Sequence, residues 1–367
     1  MLVIIIIINE FFYYQSTFPS YIYRIFNCNN LINMKKSLLF FFLSVFMFGG
    51  SLHAQKMSKK KYLHDESYYE MYPNKLTGRI YAAKKFEDVN VPSGGPATDL
   101  KYVTNHKLNL GIGVTWRNIS FNAFYGFKNS SANRGETKSL DLQLHLFPHK
   151  WAIDVLAVKP KGMYIKPKGT AAANSSSYYS NKLLKERIYG FAAFRVPNKE
   201  KFSYRAALIQ NEWQKKSAGS LLYGGEAYLV IGPENDSNFI PQSIENSYIQ
   251  KGYHEMKFLS FGPGIGYAYT AVMNQHLFIM GSLIANLKVN LATEETPTVV
   301  KKTSVAPSSI YKAAIGYNSN SWSFVVSTAG NLLWGKGPAS AQTYFYKAGQ
   351  IKVSLAKKFD VKKKNKK

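Results

Sequence analysis

From residue 107 onward the chain repeatedly alternates apolar with polar or very small residues, and Ser139-Leu140-Asp141-Leu142-Gln143-Leu144-His145-Leu146 shows the rule at its plainest. Successive strand side chains point to opposite faces, so this segment has one face of leucine alone and one of Ser, Asp, Gln and His. The same two-faced pattern recurs in about a dozen segments. Each apolar face must be covered, either by a second sheet, as in a soluble β-sandwich, or by lipid.

What lies upstream favours lipid. Residues 1–33 are almost all Ile, Phe, Tyr, Asn and Leu, the products of AT-rich codons, and read as translated upstream DNA. At Met34 an export signal begins: Lys35 and Lys36, the apolar stretch Ser37 to Phe48, and Leu52-His53-Ala54 before Gln55. The apolar stretch falls short of the roughly 20 residues of a spanning helix, so 34–54 is expected to be a cleaved signal peptide. Residues 55–76 form a basic, tyrosine-containing stretch without a period, expected as a periplasmic lead-in, a short helix or a plug. Beyond residue 55 there is no long uninterrupted apolar run, which excludes a helical membrane protein. A β-chain crosses a bilayer only as a closed barrel, because open edges leave backbone groups unpaired in hydrocarbon. The expectation is an all-β fold, an antiparallel transmembrane β-barrel forming a single domain over 77–359, placed in the cell outer membrane and followed by a basic tail at 360–367.

Thirteen segments read as strands: 77–86, 107–116, 119–127, 136–147, 151–159, 187–196, 202–213, 220–231, 258–272, 277–291, 311–317, 322–328 and 344–359. Tight turns, such as 117–118 and 148–150, alternate with long loops at 161–181, 233–252 and 293–307, as in outer-membrane barrels. Trp116, Trp151 and Trp322 each abut a tight turn, where amphipathic rings sit at headgroup level. With both termini in the periplasm the number must be even, so about 12 strands are expected, with 10 or 14 open. The miscount is expected between Trp213 and His254. Leu108, Leu110, Leu140, Leu142, Leu144, Leu146, Ile279, Leu283 and Leu287 are assigned to lipid.

The single cysteine, Cys28, lies upstream of the cleavage site, so no disulfide or thiol nucleophile is expected in the mature chain. A formal charge of +26 calls for anionic partners. For an exported barrel these are outer-membrane lipid and lipopolysaccharide, not nucleic acid. The last strand, with Ile351, Val353 and Leu355 alternating with Lys352, Ser354 and Ala356 up to Phe359, resembles the C-terminal signal read by the barrel-assembly machinery during biogenesis.

The faces opposite the lipid-facing ones supply the candidate lumen residues Lys107, Asn109, Asn122, Asp141, Gln143, His145, Asp154, Arg205, Lys288, Lys312 and Lys352. Fixed cations lower the barrier for anions, so a pore or binding barrel for small polar or anionic solutes, or a purely structural role, is expected. An outer-membrane lipid-modifying enzyme is the alternative. Ser139, Asp141 and His145 supply hydrolase residue types, but same-face neighbours lie roughly 7 Å apart and a triad needs contacts of about 3 Å. Partners such as Asp154 would have to come from adjacent strands, which ranks the enzyme below transport or structure. No pair among the seven histidines has metal-ligand spacing, and no metal or cofactor is expected. Gly262-Pro263-Gly264-Ile265-Gly266 sits inside a strand pattern and reads as a bulge or bend rather than a nucleotide loop.

Several segments together carry a resemblance: Leu76-Thr77-Gly78-Arg79-Ile80-Tyr81, Trp151-Ala152-Ile153-Asp154, Lys161-Gly162-Met163-Tyr164-Ile165, Phe202-Ser203-Tyr204-Arg205-Ala206, and the block from Gln210-Asn211-Glu212-Trp213-Gln214 to Ser220. Over residues 65–359 the chain resembles a Bacteroidetes family, domain of unknown function 4421. The resemblance implies an exported outer-membrane protein of a Gram-negative bacterium and brings no activity, ligand or catalytic residue.

Overall fold

The computed structural model describes residues 64–361 apart from 107, 117–118, 127–131, 149, 236–237 and 297. The expected signal peptide, Cys28, residues 55–63 of the lead-in, Lys107 and the tail from 362 lie outside the described residues. In chain order the strands are β1 (Tyr69–Met71), β2 (Lys75–Val91), β3 (Leu100–Val103), β4 (Leu108–Trp116), β5 (Ile119–Gly126), β6 (Lys138–Leu146), β7 (Trp151–Lys166) and β8 (Ser180–Arg195). A short helix, α1 (Tyr204–Leu208), precedes β9 (Glu212–Gln214), β10 (Ala218–Glu234), β11 (Glu255–Met273), β12 (Leu277–Glu295), β13 (Val299–Asn318), β14 (Trp322–Lys336) and β15 (Thr343–Asp360).

Antiparallel pairing runs from β15 back through β14, β13, β12, β11, β10, β8, β7 and β3 to β2, and β2 pairs with β15. The sheet therefore closes on itself as a ten-strand ring, and the two-sheet sandwich is ruled out. The short strand β3 completes the ring only at the end carrying the long connections, where it joins Asp88–Val91 to Tyr164–Lys166. Towards the tight-turn end other strands take its place: β4 pairs with Leu76–Lys84 of β2, β5 pairs with β4, and β6 pairs with Ile153–Lys161 of β7.

The alternation of the sequence becomes the two faces of this wall. Along β12 every even residue from Phe278 to Glu294 is buried, while the odd residues from Leu277 to Val289 are exposed. All nine residues assigned to lipid are exposed large hydrophobics, Leu287 at 62 % and Leu283 at 59 %. An apolar surface so continuous exceeds what a soluble monomer leaves bare.

The interior is less polar than the strand pattern implies. At the long-connection end Val89, Leu100, Tyr102, Ile165, Ile188, Val230, Phe258 and Tyr346 fill the barrel, joined by Phe239, Ile240 and Tyr248 from the connection 235–254. A second apolar cluster at the tight-turn end includes Phe194, Phe202, Tyr204, Phe278 and Val325. Polar groups concentrate between the two.

Three sequence expectations are corrected. Residues 202–213 are not a barrel strand: they fold into α1, the turn beyond it and the start of the short β9, which pairs with β1 outside the ring. Removing that segment resolves the parity problem, upstream of where the miscount was placed. Its aromatic residues mimic a strand, and a five-residue helix is too short to show a helical period. The stretch 293–307 is mostly strand, because β12 and β13 stay paired as far as Glu295 and Val299; beyond the apolar belt the outward positions turn polar while the ladder continues. At Gly262–Gly266 no bulge forms. The β11–β12 register is unchanged across Pro263, which only interrupts the ladder.

Candidate functional site

The connection between β8 and β10 turns back into the tight-turn end of the barrel and fills it. Ser203 caps α1, its hydroxyl accepting from the Ala206 amide at 3.1 Å, and the same hydroxyl donates to the Glu212 carboxylate. Glu212 also receives Arg205 Nε at 3.2 Å, so one buried carboxylate ties helix to strand. The Gln214 amide donates to the Lys201 and Lys216 carbonyls at 2.7 and 3.0 Å and accepts from the Ser203 amide at 2.9 Å. Trp213 donates to the Gln275 carbonyl at 2.6 Å and stacks on His276. The lead-in joins in, with β1 paired to β9 and the Tyr69 hydroxyl donating to the Lys199 carbonyl at 2.8 Å. Burial pushes the Tyr69 hydroxyl pKa up and that of the Lys199 ammonium down.

Asn318 and Arg79 of the wall both bind backbone carbonyls of this plug. Asn318 on β13 donates from its amide nitrogen to the Ala206 and Glu212 carbonyls at 3.1 and 2.9 Å, and its oxygen accepts from Lys358 at 3.0 Å. Arg79 on β2 donates to the Ile209 carbonyl at the end of α1 and to Thr115 and Ser120 at 2.7 and 2.6 Å.

Above the plug lies a polar cluster. His145 and Asp154 are register partners on β6 and β7, with Nδ1 and Oδ1 2.6 Å apart. The other Asp154 oxygen accepts from Lys312 Nζ at 2.7 Å. The Lys312 ammonium also lies 5.6 Å from the Tyr204 ring centre, and the Tyr204 hydroxyl is 2.6 Å from Ser282 Oγ. A cavity of about 90 Å³ opens beside this group, lined by Arg79, Ser120, Leu144, His145, Leu208, Ile209, Lys312, Ser327, Thr328 and Lys352. Among the described residues the Lys352 ammonium has no hydrogen-bond or ion-pair partner. A smaller cavity of about 40 Å³ lies further in, between Asp154, Tyr228 and Asn331.

Of the other expected lumen residues, Asn109 is buried on β4. Arg205 is buried too, on α1 rather than on a strand. Lys288 is fully buried with Glu226 at 3.3 Å and lies over the Tyr228 ring, while Ser308 donates to that carboxylate. Asn122, Asp141 and Gln143 are placed by backbone register alone, opposite Gly113, Val158 and Leu156, and their side chains lie outside the described residues. Ser139 is exposed on β6, six residues from His145, about 20 Å at ~3.3 Å per residue, so these two do not form a catalytic pair. Among the described residues no group of three or more His, Cys, Asp or Glu could hold a metal.

The strand pattern missed the plug contacts of Arg79, Glu212 and Asn318. The signal was present in Gln210-Asn211-Glu212, which breaks the alternation, and in Ser203 as a helix cap.

One family model, Domain of unknown function (DUF4421), matches residues 64–336. No curated protein matches the sequence. Among solved structures the chain is similar to the outer-membrane protease OmpT of Escherichia coli, at 10% identity and a TM-score of 0.33, covering 79% of this chain and 98% of that one. It is similar to the outer-membrane protein OmpT of Vibrio cholerae at 8% identity and a TM-score of 0.28, covering 77% and 98%. A FadL homologue of Pseudomonas aeruginosa matches at 8% identity and a TM-score of 0.21, covering 78% and 90%. Likenesses this remote transfer no activity.

Proposed function

The chain belongs to the DUF4421 family, and from its own geometry we propose that it is an outer-membrane barrel, exported behind the signal at 34–54, that binds small anionic groups in a lumen closed at both ends. The observation that carries this reading is the lower cavity: Arg79, Lys312 and Lys352 line it, and Asp154, the carboxylate bound to Lys312, is shared with His145. Fixed cations in a confined space favour anions. The apolar belt supports the membrane location, and the two filled ends argue against an open pore.

Purified protein refolded into planar bilayers should show little steady conductance, and inorganic phosphate should raise its thermal stability by mass action. A large steady current would overturn the closed-lumen reading. Equal stabilisation by phosphate and by an organic cation would overturn the anion site.

The His145–Asp154 contact favours a second reading, a lipid-modifying enzyme using His145 as base. It ranks lower because Lys312 holds the second Asp154 oxygen and no described serine hydrogen-bonds His145. Lipid hydrolysis by the wild type that disappears in His145→Ala would reverse the order.

A further inference from the structure

Among the described residues the ladder of the barrel wall is broken between β5 and β6 in its tight-turn half, and the cationic cavity lies at that break. Strand β5 is paired on one side to β4 and β6 on one side to β7. Among the described residues no ladder joins β5 to β6, so the ring is completed by β3 only at the opposite end. The cavity is lined from both sides of the break, by Ser120 on β5 and by Leu144 and His145 on β6. Leu144 belongs to the outer apolar row and is 44 % exposed, whereas Arg79, Lys312 and Lys352 face the lumen. The cavity lining therefore includes a residue of the lipid-facing row together with the interior cations.

The axial routes to this cavity are filled. Leu208 and Ile209 of the plug form its floor, and Arg79 fixes that floor by its bond to the Ile209 carbonyl. Towards the long-connection end, Phe239 and Ile240 sit in the apolar cluster that occupies the barrel. Two free strand edges in hydrocarbon would cost several kcal/mol per unsatisfied group, and non-helical backbone is tolerated at membrane depth where it lines a wet or polar cavity.

We propose that the break between β5 and β6 is a lateral entrance for an amphiphile of the bilayer with a single anionic headgroup. The headgroup reaches Lys352, Arg79 and Lys312, and the acyl chain stays outside along Leu140, Leu142, Leu144 and Leu146. Size supports this division. A cavity of about 90 Å³ is smaller than the ~150 Å³ that accepts a benzene ring, so it admits a carboxylate or single phosphate and excludes the chain. Charge complementarity selects an anion, and the leucine row selects an acyl tail. The inference rests on the anion-binding reading of the same cavity.

The test uses full-length protein in nanodiscs of neutral lipid, with an oleate analogue carrying a diazirine in its chain. Crosslinks are expected several-fold more often on the Leu140–Leu146 row of β6 than on Ile279 and Leu283 of β12. Oleate should compete them away and oleyl alcohol should not, and Lys352→Ala should make the labelling uniform. Inorganic phosphate stabilisation is read in parallel, and Lys352→Ala should weaken it about tenfold in apparent affinity. Heat-modifiable gel mobility verifies that the variant is folded. Uniform labelling of the wild type with phosphate stabilisation still dependent on Lys352 would sink the lateral entrance and leave the anion site standing. Phosphate stabilisation unchanged in Lys352→Ala would sink the anion site itself. Competition by oleyl alcohol as strong as by oleate would show that the headgroup charge is not read, which also overturns the proposal.

Discussion

The ammonium of Lys312 meets the carboxylate of Asp154 at 2.7 Å, across the full width of the barrel. In the ten-strand ring four strands separate β13 from β7 in either direction, so the ion pair bridges diametrically opposite walls. The Tyr228 hydroxyl makes a shorter bridge across the lumen, from β10 to Asn331 on β14, at 2.8 Å. A lumen braced in this way is a packed interior, tied across its width by polar side chains.

Breaking the first bridge should therefore weaken the whole barrel. In Lys312→Ala the Asp154 carboxylate loses a charged donor, and hydrogen bonds to charged groups contribute about 1.5–3 kcal/mol. The Asp154 side chain is 20% exposed, so solvent screening places the expected loss at the lower end. Urea unfolding in detergent measures it, and Asp154→Asn combined with Lys312→Ala should cost less than the sum of the two single variants. Strict additivity would mean that the two side chains do not interact in the folded protein.

Loosening the plug should destabilise the barrel without opening a pore. Asn318→Ala leaves the Ala206 and Glu212 carbonyls and the Lys358 ammonium without their shared partner, and buried groups left unpaired cost about 1–3 kcal/mol. Urea unfolding in detergent measures the loss. Replacing residues 202–213 by a short Gly-Ser linker should still leave planar bilayers nearly silent, because Phe239 and Ile240 fill the long-connection end, and sustained conductance from that variant alone would show that the plug is the sole blockage.

The facing of the strands was legible because lipid imposes it. The leucines from Leu140 to Leu146 are all exposed, and Ile279 through Leu287 alternate strictly between exposed and buried, since each outward position meets hydrocarbon. The contact between His145 and Asp154 was partly legible, because the tight turn at 148–150 sets the β6–β7 register that places them opposite each other. Lys312 was not assignable to Asp154 by any local rule, since which residues meet across a lumen depends on strand number and stagger around the barrel. Plug residues such as Ser203 and Arg205 read as strand because their role is set by tertiary hydrogen bonds, which leave no period in the sequence.

The belt makes a depth-dependent prediction. Leu142→Arg places a charge on the lipid face and should cost roughly 2–4 kcal/mol near the bilayer midplane. Thr303→Arg, at an exposed position of β13 where the outward face has turned polar, should be nearly neutral. Folding yields into liposomes compare the two directly. Equal penalties would mean that lipid covers the whole height of the wall, and equal tolerance would mean that it covers none of it.

Two wall glycines should respond oppositely to the same substitution. A Cβ on Gly262 of β11 would fall 2.1 Å from the Leu287 carbonyl oxygen and 2.8 Å from Lys288 Cα, both backbone atoms of β12 that cannot step aside. Pro263 already interrupts the β11–β12 ladder there, so the close approach of the two strands depends on the missing side chain. Gly262→Ala should cost about 1–3 kcal/mol as overpacking and should disturb the fully buried Lys288–Glu226 pair beside it. At Gly281 on β12 a Cβ would meet nothing within 4 Å, so Gly281→Ala should be neutral, or stabilising by roughly 0.4–1 kcal/mol through the lower entropy of the unfolded chain. Thermal gel-shift midpoints separate the pair. Identical midpoints for the two variants would show that β11 and β12 are not in close contact at Gly262.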